Sequence, residues 1–410
     1  MPTIDPDRVL RDLRTLATFG AYKTGVHRPT FSPQDIEARH WFRDRLDEAG
    51  LDARIDGIGT VIGYSRASGP HLLTGSHVES QNHAGWLDGP LGIIYGLEAA
   101  RAFREDPDMR DVGIDVAAWC DEEGHFGSFI GSRSFVGLLS EEDIDKARNR
   151  YDGTPLRDAL GRAGLADRPR ERVQPDRYRG YCEAHIEQGD TLDSSGLKIG
   201  IVTAIVAIWQ YRLHATGEQN HAGTTTMARR KDAGLALVRL LAEIDRRFPD
   251  VAGPRSVWTT GRITLEPGAA SIIPGRAEAL FQIRDADTAV LERLQAKLYE
   301  LVAEANAIGP CPIAVEAMSR STPAAMDEAL LRAIEEAAAT HCPGEAMRLP
   351  SGAGHDAQWL ARVMPAAMMF VPSIGGVSHH WTENTSDEDI VLGARVFCDA
   401  LARMARLANG

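Results

Sequence analysis

Short apolar runs alternate with amphipathic helical patterns along most of this chain, and this alternation restricts its fold more than any other feature. Ser32-Pro33 begins a predicted helix with a hydroxyl cap and a proline in the first turn, and Gly50 ends it. Strands are then predicted at residues 60–64, 72–76 and 114–119, with a helix at 91–103. This order is typical of an α/β fold in which helices flank a mixed sheet.

A second pattern interrupts this rhythm. Residues 207–215 alternate apolar and polar side chains, as a half-buried strand does. The following order is helix 232–248, strands 257–265 and 278–283, helix 289–308 and strand 313–318, which is the order of a split βαβ sandwich. The α/β rhythm resumes with helix 325–340, strand 366–371 and helix 387–407. We therefore expect a main domain over residues 1–204 and 319–410, with an inserted α+β domain over 205–318.

Composition and charge exclude several classes of protein. The 410 residues are 43% hydrophobic and carry a formal net charge of -13, which argues against nucleic acid or an anionic membrane as a partner. There is no apolar run long enough for a membrane span and no visible secretory signal. The five cysteines are scattered and never form C-x-x-C, so we expect reduced thiols and a cytoplasmic protein.

Histidines and carboxylates are concentrated beside glycines in five short segments. These are residues 75–79 (GSHVE), 87–92 (LDGPLG), 121–124 (DEEG), 185–189 (HIEQG) and 376–380 (GVSHH). Most lie at the end of a predicted strand or the start of a predicted helix. Sites in open α/β sheets gather at the carboxyl ends of the strands, so these segments are expected to converge.

Imidazole and carboxylate ligands without cysteine suit a catalytic zinc, manganese or related ion rather than a structural zinc. In the adjacent pair Glu122-Glu123, one carboxylate could bind metal while the other takes a proton from water. The residues alone leave open whether these groups are ligands or ordinary turns and surface charges, because no compact metal motif is present. They also do not choose between His379 and His380.

Taken together, the segments resemble the M20 family of metallopeptidases and amidohydrolases. The resemblance is to its carbamoylase branch, which comprises N-carbamoyl-L-amino acid hydrolases, β-ureidopropionases and allantoate amidohydrolases. It rests on residues 75–92 (GSHVESQNHAGWLDGPLG), 121–133 (DEEGHFGSFIGSR), 184–189 (AHIEQG), 217–227 (GEQNHAGTTTM), 271–275 (SIIPG), 351–357 (SGAGHDA) and 368–383 (MMFVPSIGGVSHHWTE).

The resemblance implies a hydrolase acting on carbon–nitrogen bonds other than peptide bonds, with two divalent ions per subunit (Zn, Mn, Co or Ni). His77 and His185 would hold one ion, Glu123 and His379 the other, and Asp88 would bridge them. Glu122 would be the general base. The inserted domain would form a dimerisation lid, through which His221 would reach the active site of a second copy and stabilise the oxyanion. Substrate would contact Gln188, Arg284 and the backbone at Gly352.

Three departures from the family pattern bear on substrate and support. Glu79 replaces the usual Asp, whose carboxylate is expected to orient the metal-bound imidazole. Ser271 replaces an Asn that commonly holds the substrate carboxylate, and His83-Ala84-Gly85 replaces Asn-Gly-Gly and reshapes one pocket wall. We expect an N-carbamoyl or N-acyl amino-acid-like substrate. Allantoate or ureidoglycine hydrolysis, and a dipeptidase or aminoacylase activity, are the alternatives.

Overall fold

The structure, a computed structural model, describes residues 1–174 and 176–407. Within these residues the helices are α1 (Pro6–Leu16), α2 (Pro33–Glu48), α3 (Pro90–Glu105), α4 (Ile130–Phe135), α5 (Glu141–Lys146), α6 (Leu156–Arg162), α7 (Thr191–Ser195), α8 (Ala233–Arg247), α9 (Thr288–Ile308), α10 (Glu328–His341), α11 (Ala357–Leu360) and α12 (Asp387–Met404). Short 3-10 helices lie at Met227–Arg229, Phe248–Asp250 and Ile374–Gly376.

The strands are β1 (Ala21–Tyr22), β2 (Gly25–Val26), β3 (Asp52–Ile55), β4 (Val61–Tyr64), β5 (His71–His77), β6 (Gly113–Trp119), β7 (Tyr178–Ile186), β8 (Ile199–Ile205), β9 (Ala207–Thr216), β10 (Asn220–His221), β11 (Val257–Glu266), β12 (Ile272–Ile273), β13 (Arg276–Asp285), β14 (Ile313–Arg320), β15 (Ala324–Ala325), β16 (Ala346–Ser351) and β17 (Ala366–Val371). The chain forms two compact units, one of residues 1–203 and 325–410 and the other of residues 204–324.

The larger unit is built on a mixed sheet. Its strand order is β15-β8-β17-β7-β5-β6-β4-β3, and β16 pairs with β8. Strands β17, β7, β5 and β6 run parallel, whereas β3, β4 and β8 pair antiparallel to their neighbours. Helices α3 and α12 both pack on this sheet. The predicted mixed sheet flanked by helices is therefore confirmed.

The four parallel strands end at one edge of the sheet, and the histidine and carboxylate segments lie at these ends. His77 is the last residue of β5, and His185 is the penultimate residue of β7. Glu122-Glu123 follows β6 closely, and His379 follows β17 after a 3-10 turn. The sheet thus gathers side chains that are up to about 300 residues apart in sequence.

The smaller unit has an antiparallel sheet with the order β11-β13-β9-β14 and helices α8 and α9 packed against it. Its apolar core includes Tyr211, Phe248, Phe281 and Leu294, each at most 2% exposed. Strand β9 alternates buried and more exposed residues, as its sequence pattern predicts.

Helix α2 illustrates how local sequence sets an element. Ser32 caps it by accepting a hydrogen bond from the Asp35 N–H, and Pro33 occupies the first turn. Its buried face carries Asp35, Ala38, Arg39 and Phe42 at helical spacing. Two of these four are charged, so the helix brings an ion pair into the interior. No helix within the described residues combines the length and apolar character that a bilayer crossing requires.

Candidate metal centre

Two imidazoles face one carboxylate at the carboxyl edge of the sheet. His77 Nε2 lies 3.5 Å from Asp88 Oδ1, and His185 Nε2 lies 3.2 Å from the same oxygen. The Nδ1 atom of His77 is 3.0 Å from the Glu79 main-chain carbonyl, and that of His185 is 2.9 Å from the Ile186 carbonyl. A carbonyl only accepts, so each Nδ1 carries a proton, and Nε2 is the ring nitrogen left to bind a metal ion.

Asp88 is held at this position by the turn before α3. The next residue, Gly89, has φ +85°, and a Cβ there would lie 2.5 Å from the His77 ring. Only glycine allows the carboxylate loop to come this close to the imidazole. Asp88 is 2% exposed. Its second oxygen, Oδ2, accepts a hydrogen bond from Gln188 Nε2 at 3.1 Å.

A second set of ligand atoms lies on the other side of Asp88. His379 Nε2 is 3.4 Å from Asp88 Oδ2 and 3.9 Å from Glu123 Oε2. Ligand atoms of His77, Asp88 and His185 lie within 4.8 Å of one another, as do those of Asp88, Glu123 and His379. Three imidazole nitrogens and two carboxylates around a shared Asp are a donor set suited to two divalent ions. The residues present therefore fit such ions.

Of the two adjacent carboxylates that follow β6, Glu123 belongs to the second set and Glu122 to neither. Glu122 Oε2 is 3.8 Å from His77 Nε2, and its side chain is 11% exposed. Burial, together with the nearby Glu123, Asp356 and Asp88 carboxylates, raises the pKa of Glu122 well above its ordinary value, although His77 opposes the shift. Glu122 is thus a largely buried carboxylate beside the first imidazole.

The Glu79 carboxylate does not contact His77 as the resemblance led us to expect. It accepts one hydrogen bond from the Glu122 main-chain N–H at 2.7 Å and one from Arg39 Nη2 at 2.7 Å. Arg39 also binds Asp35 at 2.9 Å and the Gly59 carbonyl at 2.6 Å. The Nδ1 atom of His77 instead contacts the Glu79 main-chain carbonyl.

Four supporting residues, Gln81, Arg150, Ser373 and Arg39, were missed from the sequence. Gln81 donates to Glu123 through both its main-chain N–H and its amide. Arg150 Nη2 donates to the Glu123 carbonyl at 2.6 Å, and the Gln188 N–H donates to Ser373 Oγ at 3.0 Å. Gln81 lies inside residues 75–92, one of the segments that carry the family resemblance, whereas Arg150 lies in no such segment. Arg39 had a usable signal, since it falls four residues after Asp35 on the buried face of α2.

Four residues of this region other than glycine have a left-handed backbone. They are His83, Asp121, Gln188 and His379, with φ between 55° and 60°. Such conformations cost free energy and persist only where surrounding contacts enforce them.

Three further histidines lie near the centre but belong to neither ligand set in the described residues. His355 is buried against His185, with ring centroids 4.6 Å apart, and its Nε2 hydrogen bonds with Ser351 Oγ. His125 is buried beside Thr30 and Asp121. His380 is not part of either ligand set in the described residues; its Nδ1 lies 2.7 Å from Thr382 Oγ1. The geometry therefore groups His379, rather than His380, with Asp88 and Glu123.

Two expected substrate residues lie in the smaller unit. His221 is exposed in β10, and its Nδ1 accepts the N–H of Gly223 at 3.0 Å and that of Thr224 at 3.3 Å. The proton is therefore on Nε2, which is free to point outward as a donor. Arg284 is partly buried in β13, and burial lowers the pKa of its guanidinium. In the larger unit, Gly352 is exposed directly after β16.

The mixed sheet with this candidate metal centre at its carboxyl edge is matched by a known protein family. The profile of the family described as Peptidase family M20/M25/M40 matches residues 70–403, so the chain belongs to that family.

Individual relatives define the branch. The chain is 33% identical over 398 residues to the allantoate amidohydrolase of Bacillus subtilis (strain 168), with 95% of each chain covered. It is 32% identical over 424 residues to the N-carbamoyl-L-amino-acid amidohydrolase of Rhizobium meliloti, covering 99% of this chain and 98% of the relative. An amidase of the hydantoinase/carbamoylase family from Burkholderia phymatum is 48% identical, with a TM-score of 0.93 over 99% of this chain and 98% of that one. The predicted resemblance is confirmed, and the chain is an amidohydrolase acting on carbon–nitrogen bonds other than peptide bonds.

Proposed function

We propose that this chain hydrolyses the C–N bond of a small N-carbamoyl (ureido) or N-acyl amino-acid-like compound, using two divalent ions (Zn, Mn, Co or Ni). The observation that carries the proposal is the position of Asp88, whose two oxygens face the Nε2 atoms of three histidines. His77 and His185 would hold one ion, Glu123 and His379 the other, and Asp88 would bridge. A pair of bound ions lowers the pKa of a water molecule between them and stabilises the negative charge that develops on the carbonyl oxygen.

Glu122 is the proposed general base. Its main chain is fixed by Glu79, and its side chain lies beside His77 without belonging to either ligand set. It would accept a proton from the attacking water and return it to the leaving nitrogen.

Substrate recognition is assigned to both units. Gln188, which donates to Asp88, would contact substrate, as would the backbone at Gly352. The planar guanidinium of Arg284 matches a substrate carboxylate. His221 presents an Nε2–H donor, which is what a developing oxyanion requires.

We further propose a homodimer in which His221 serves the site of the second copy. The smaller unit would be the dimerisation lid, and the larger unit the catalytic domain. Strand β11 is at the edge of its sheet and leaves Val257, Ile263 and Leu265 between 40% and 50% exposed. Val238 on α8 is 51% exposed. An unpaired edge strand with large apolar side chains is a surface that a second copy can cover. All five cysteines are buried and unpaired, which supports a cytoplasmic location.

Substitution of the two adjacent carboxylates tests the divided roles. Glu122→Gln should lower kcat about 10²- to 10⁴-fold and leave two metal ions per subunit bound, because it removes only the base. Glu123→Gln should lose one of the two ions. Metal content by mass spectrometry and turnover with N-carbamoyl amino acids, allantoate and N-acyl amino acids are the measurements.

Two controls complete this test. Chelated protein should be inactive and should regain activity with Mn²⁺, Co²⁺, Ni²⁺ or Zn²⁺. Full activity in exhaustively metal-free protein would reject the proposed chemistry, and metal loss in Glu122→Gln but not in Glu123→Gln would reverse the two roles.

A further inference from the structure

Five aromatic and imidazole rings lie together beside the second ligand set. We call Tyr22, His27, His83, His380 and Trp381 the ring cluster. The ring centroids of His27 and His83 are 4.4 Å apart at 22°, and those of Tyr22 and His83 are 4.3 Å apart. Tyr22 meets Trp381 edge-on at 5.8 Å, and Trp381 lies 3.8 Å from His380. All five rings are partly or fully exposed.

The hairpin of β1 and β2 is fixed to the loop between β5 and α3, which carries His83 and Asp88. Val26 and Ala84 exchange two main-chain hydrogen bonds of 2.9 Å. A Cβ at Gly25 would lie 2.1 Å from the Ala84 carbonyl and 2.8 Å from the Trp381 Cα, so the contact requires glycine. Thr24 Oγ1 also donates to the Trp381 carbonyl. The rings are therefore held in place by main-chain contacts rather than by their own stacking alone.

Two short chain segments connect the ring cluster to the centre. His83 lies two residues after Gln81, which donates to Glu123. His380 follows His379, whose N–H donates to Glu383. A group bound at the centre through Glu123 and His379 would thus have the ring cluster as a neighbour.

The chemistry of the cluster selects among substrate groups. Burial, helped by His83 and His125, lowers the pKa of His27, which disfavours the charged form of this ring. Lys23 Nζ already lies 3.5 Å above the Trp381 ring and would repel a second cation. Ring faces and edges in this arrangement favour a planar apolar group, which gains by stacking and by edge-to-face contact.

We propose that the ring cluster is a specificity subsite that binds an aromatic side chain of the substrate. This rests on the proposed function for the site beside it. The proposal predicts that the enzyme prefers N-carbamoyl-L-phenylalanine and N-carbamoyl-L-tryptophan over N-carbamoyl-L-alanine by about 5- to 20-fold in kcat/KM, the size expected for one or two aromatic contacts.

The test compares this ratio in the metal-loaded wild type and in His83→Asn, Tyr22→Leu and Trp381→Leu. Asn tolerates the left-handed backbone at position 83, so His83→Asn removes a ring without new strain. In each variant the aromatic-to-alanine ratio should fall toward 1. Tyr299→Leu, at a 41% exposed tyrosine of the smaller unit, is the matched control and should keep the wild-type ratio.

Binding separates this proposal from the proposed function. Calorimetry with N-acetyl-L-phenylalanine and N-acetyl-L-alanine needs no turnover. If no ureido or N-acyl compound is hydrolysed but the wild type binds the aromatic ligand more tightly than His83→Asn does, the proposed function fails and the subsite stands. If hydrolysis proceeds with the same ratio in the wild type and all three variants, the subsite is overturned and the proposed function stands.

Discussion

The side chain of Glu79 joins two segments of the candidate metal centre. It is fully buried between the Arg39 guanidinium and the Glu122 main-chain N–H. Each of its two oxygens serves one of these donors. An amide has only one acceptor oxygen, so glutamine cannot replace both contacts.

We predict that Glu79→Gln lowers kcat about 10- to 100-fold, in the range typical of residues that orient a catalytic group. Its metal content should stay at the wild-type value, because the Glu79 main chain, not its side chain, binds His77 Nδ1. Steady-state kinetics and metal analysis on the same preparation measure the kcat and the metal content of the variant. Loss of the ion proposed to bind His77 would contradict this account of the imidazole.

Asp35→Asn is the matched control, since Asp35 binds the same Arg39 but not Glu122. Both substitutions break a buried ion pair and should lower the free energy of unfolding by about 3–5 kcal/mol. Only Glu79→Gln should affect kcat strongly. Equal losses of kcat in the two variants would mean that stability, not the position of Glu122, is responsible.

Among single residues, the sequence predicted those whose side-chain type itself indicates metal binding. His77, Asp88, His185, Glu123 and His379 are histidines or carboxylates in glycine-rich segments, and the structure brings them together. The role of Glu79 was not predictable, because two carbonyl–imidazole contacts depend on backbone turns. Gln81 and Arg150 act through main-chain geometry, which single-residue chemistry does not encode.

Among the strands, β6 carries a buried charge that ties several elements together. Asp115 accepts hydrogen bonds from the Ser65 N–H, from Arg177 and from the Tyr178 hydroxyl. Burial alone would raise its pKa, but His71, Arg177 and Ser65 lower it below the ordinary value. The folded state therefore favours the charged carboxylate.

We predict that Asp115→Asn lowers the free energy of unfolding at pH 7 by about 3 kcal/mol, the lower end for a broken buried pair. A depressed folded pKa contributes stability above the unfolded pKa of about 3.9, and this contribution is lost as pH falls through the folded pKa. The difference between wild type and variant should therefore shrink below pH 4. Denaturant titrations at several pH values measure this difference in the free energy of unfolding. A difference that stays constant down to pH 3 would contradict a stabilising role for the charged Asp115 carboxylate.

Element prediction succeeded where one periodicity dominated and failed where buried charge broke it. Strand β9 and helix α2 followed their patterns closely. Strand β7 was missed, because Glu183 and Gly180 interrupt its apolar run. Glu183 is nevertheless fully buried, since Ser76, Tyr181 and the Ala357 N–H all donate to it. A strand of this kind is recognisable only when its partners are known.

For the whole molecule, the proposed dimer makes a mixing experiment decisive. Glu122→Gln and His221→Ala should each be nearly inactive alone. A heterodimer of the two would have one site with both residues intact, so an exchanged equimolar mixture should recover about a quarter of wild-type activity. Absence of recovery after demonstrated subunit exchange would reject the composite site.

Ile263→Lys tests the surface that the dimer would use. A charge in the exposed edge strand β11 should shift the protein to monomers in sedimentation velocity. Ile308→Lys, at a 90% exposed residue at the end of α9, should leave the dimer intact. Equal behaviour of the two variants would place the interface elsewhere.

The main-chain carbonyls that hold the Nδ1 atoms of His77 and His185 have a consequence for how this centre tolerates change over generations. Every amino acid supplies a carbonyl, so the hydrogen bond that orients each ring survives any replacement of Glu79 or Ile186 that keeps the backbone path. Asp at position 79 can therefore be replaced by the longer Glu during evolution, and its carboxylate can take other partners, here Arg39 and the Glu122 N–H, while the orientation of the His77 ring is kept.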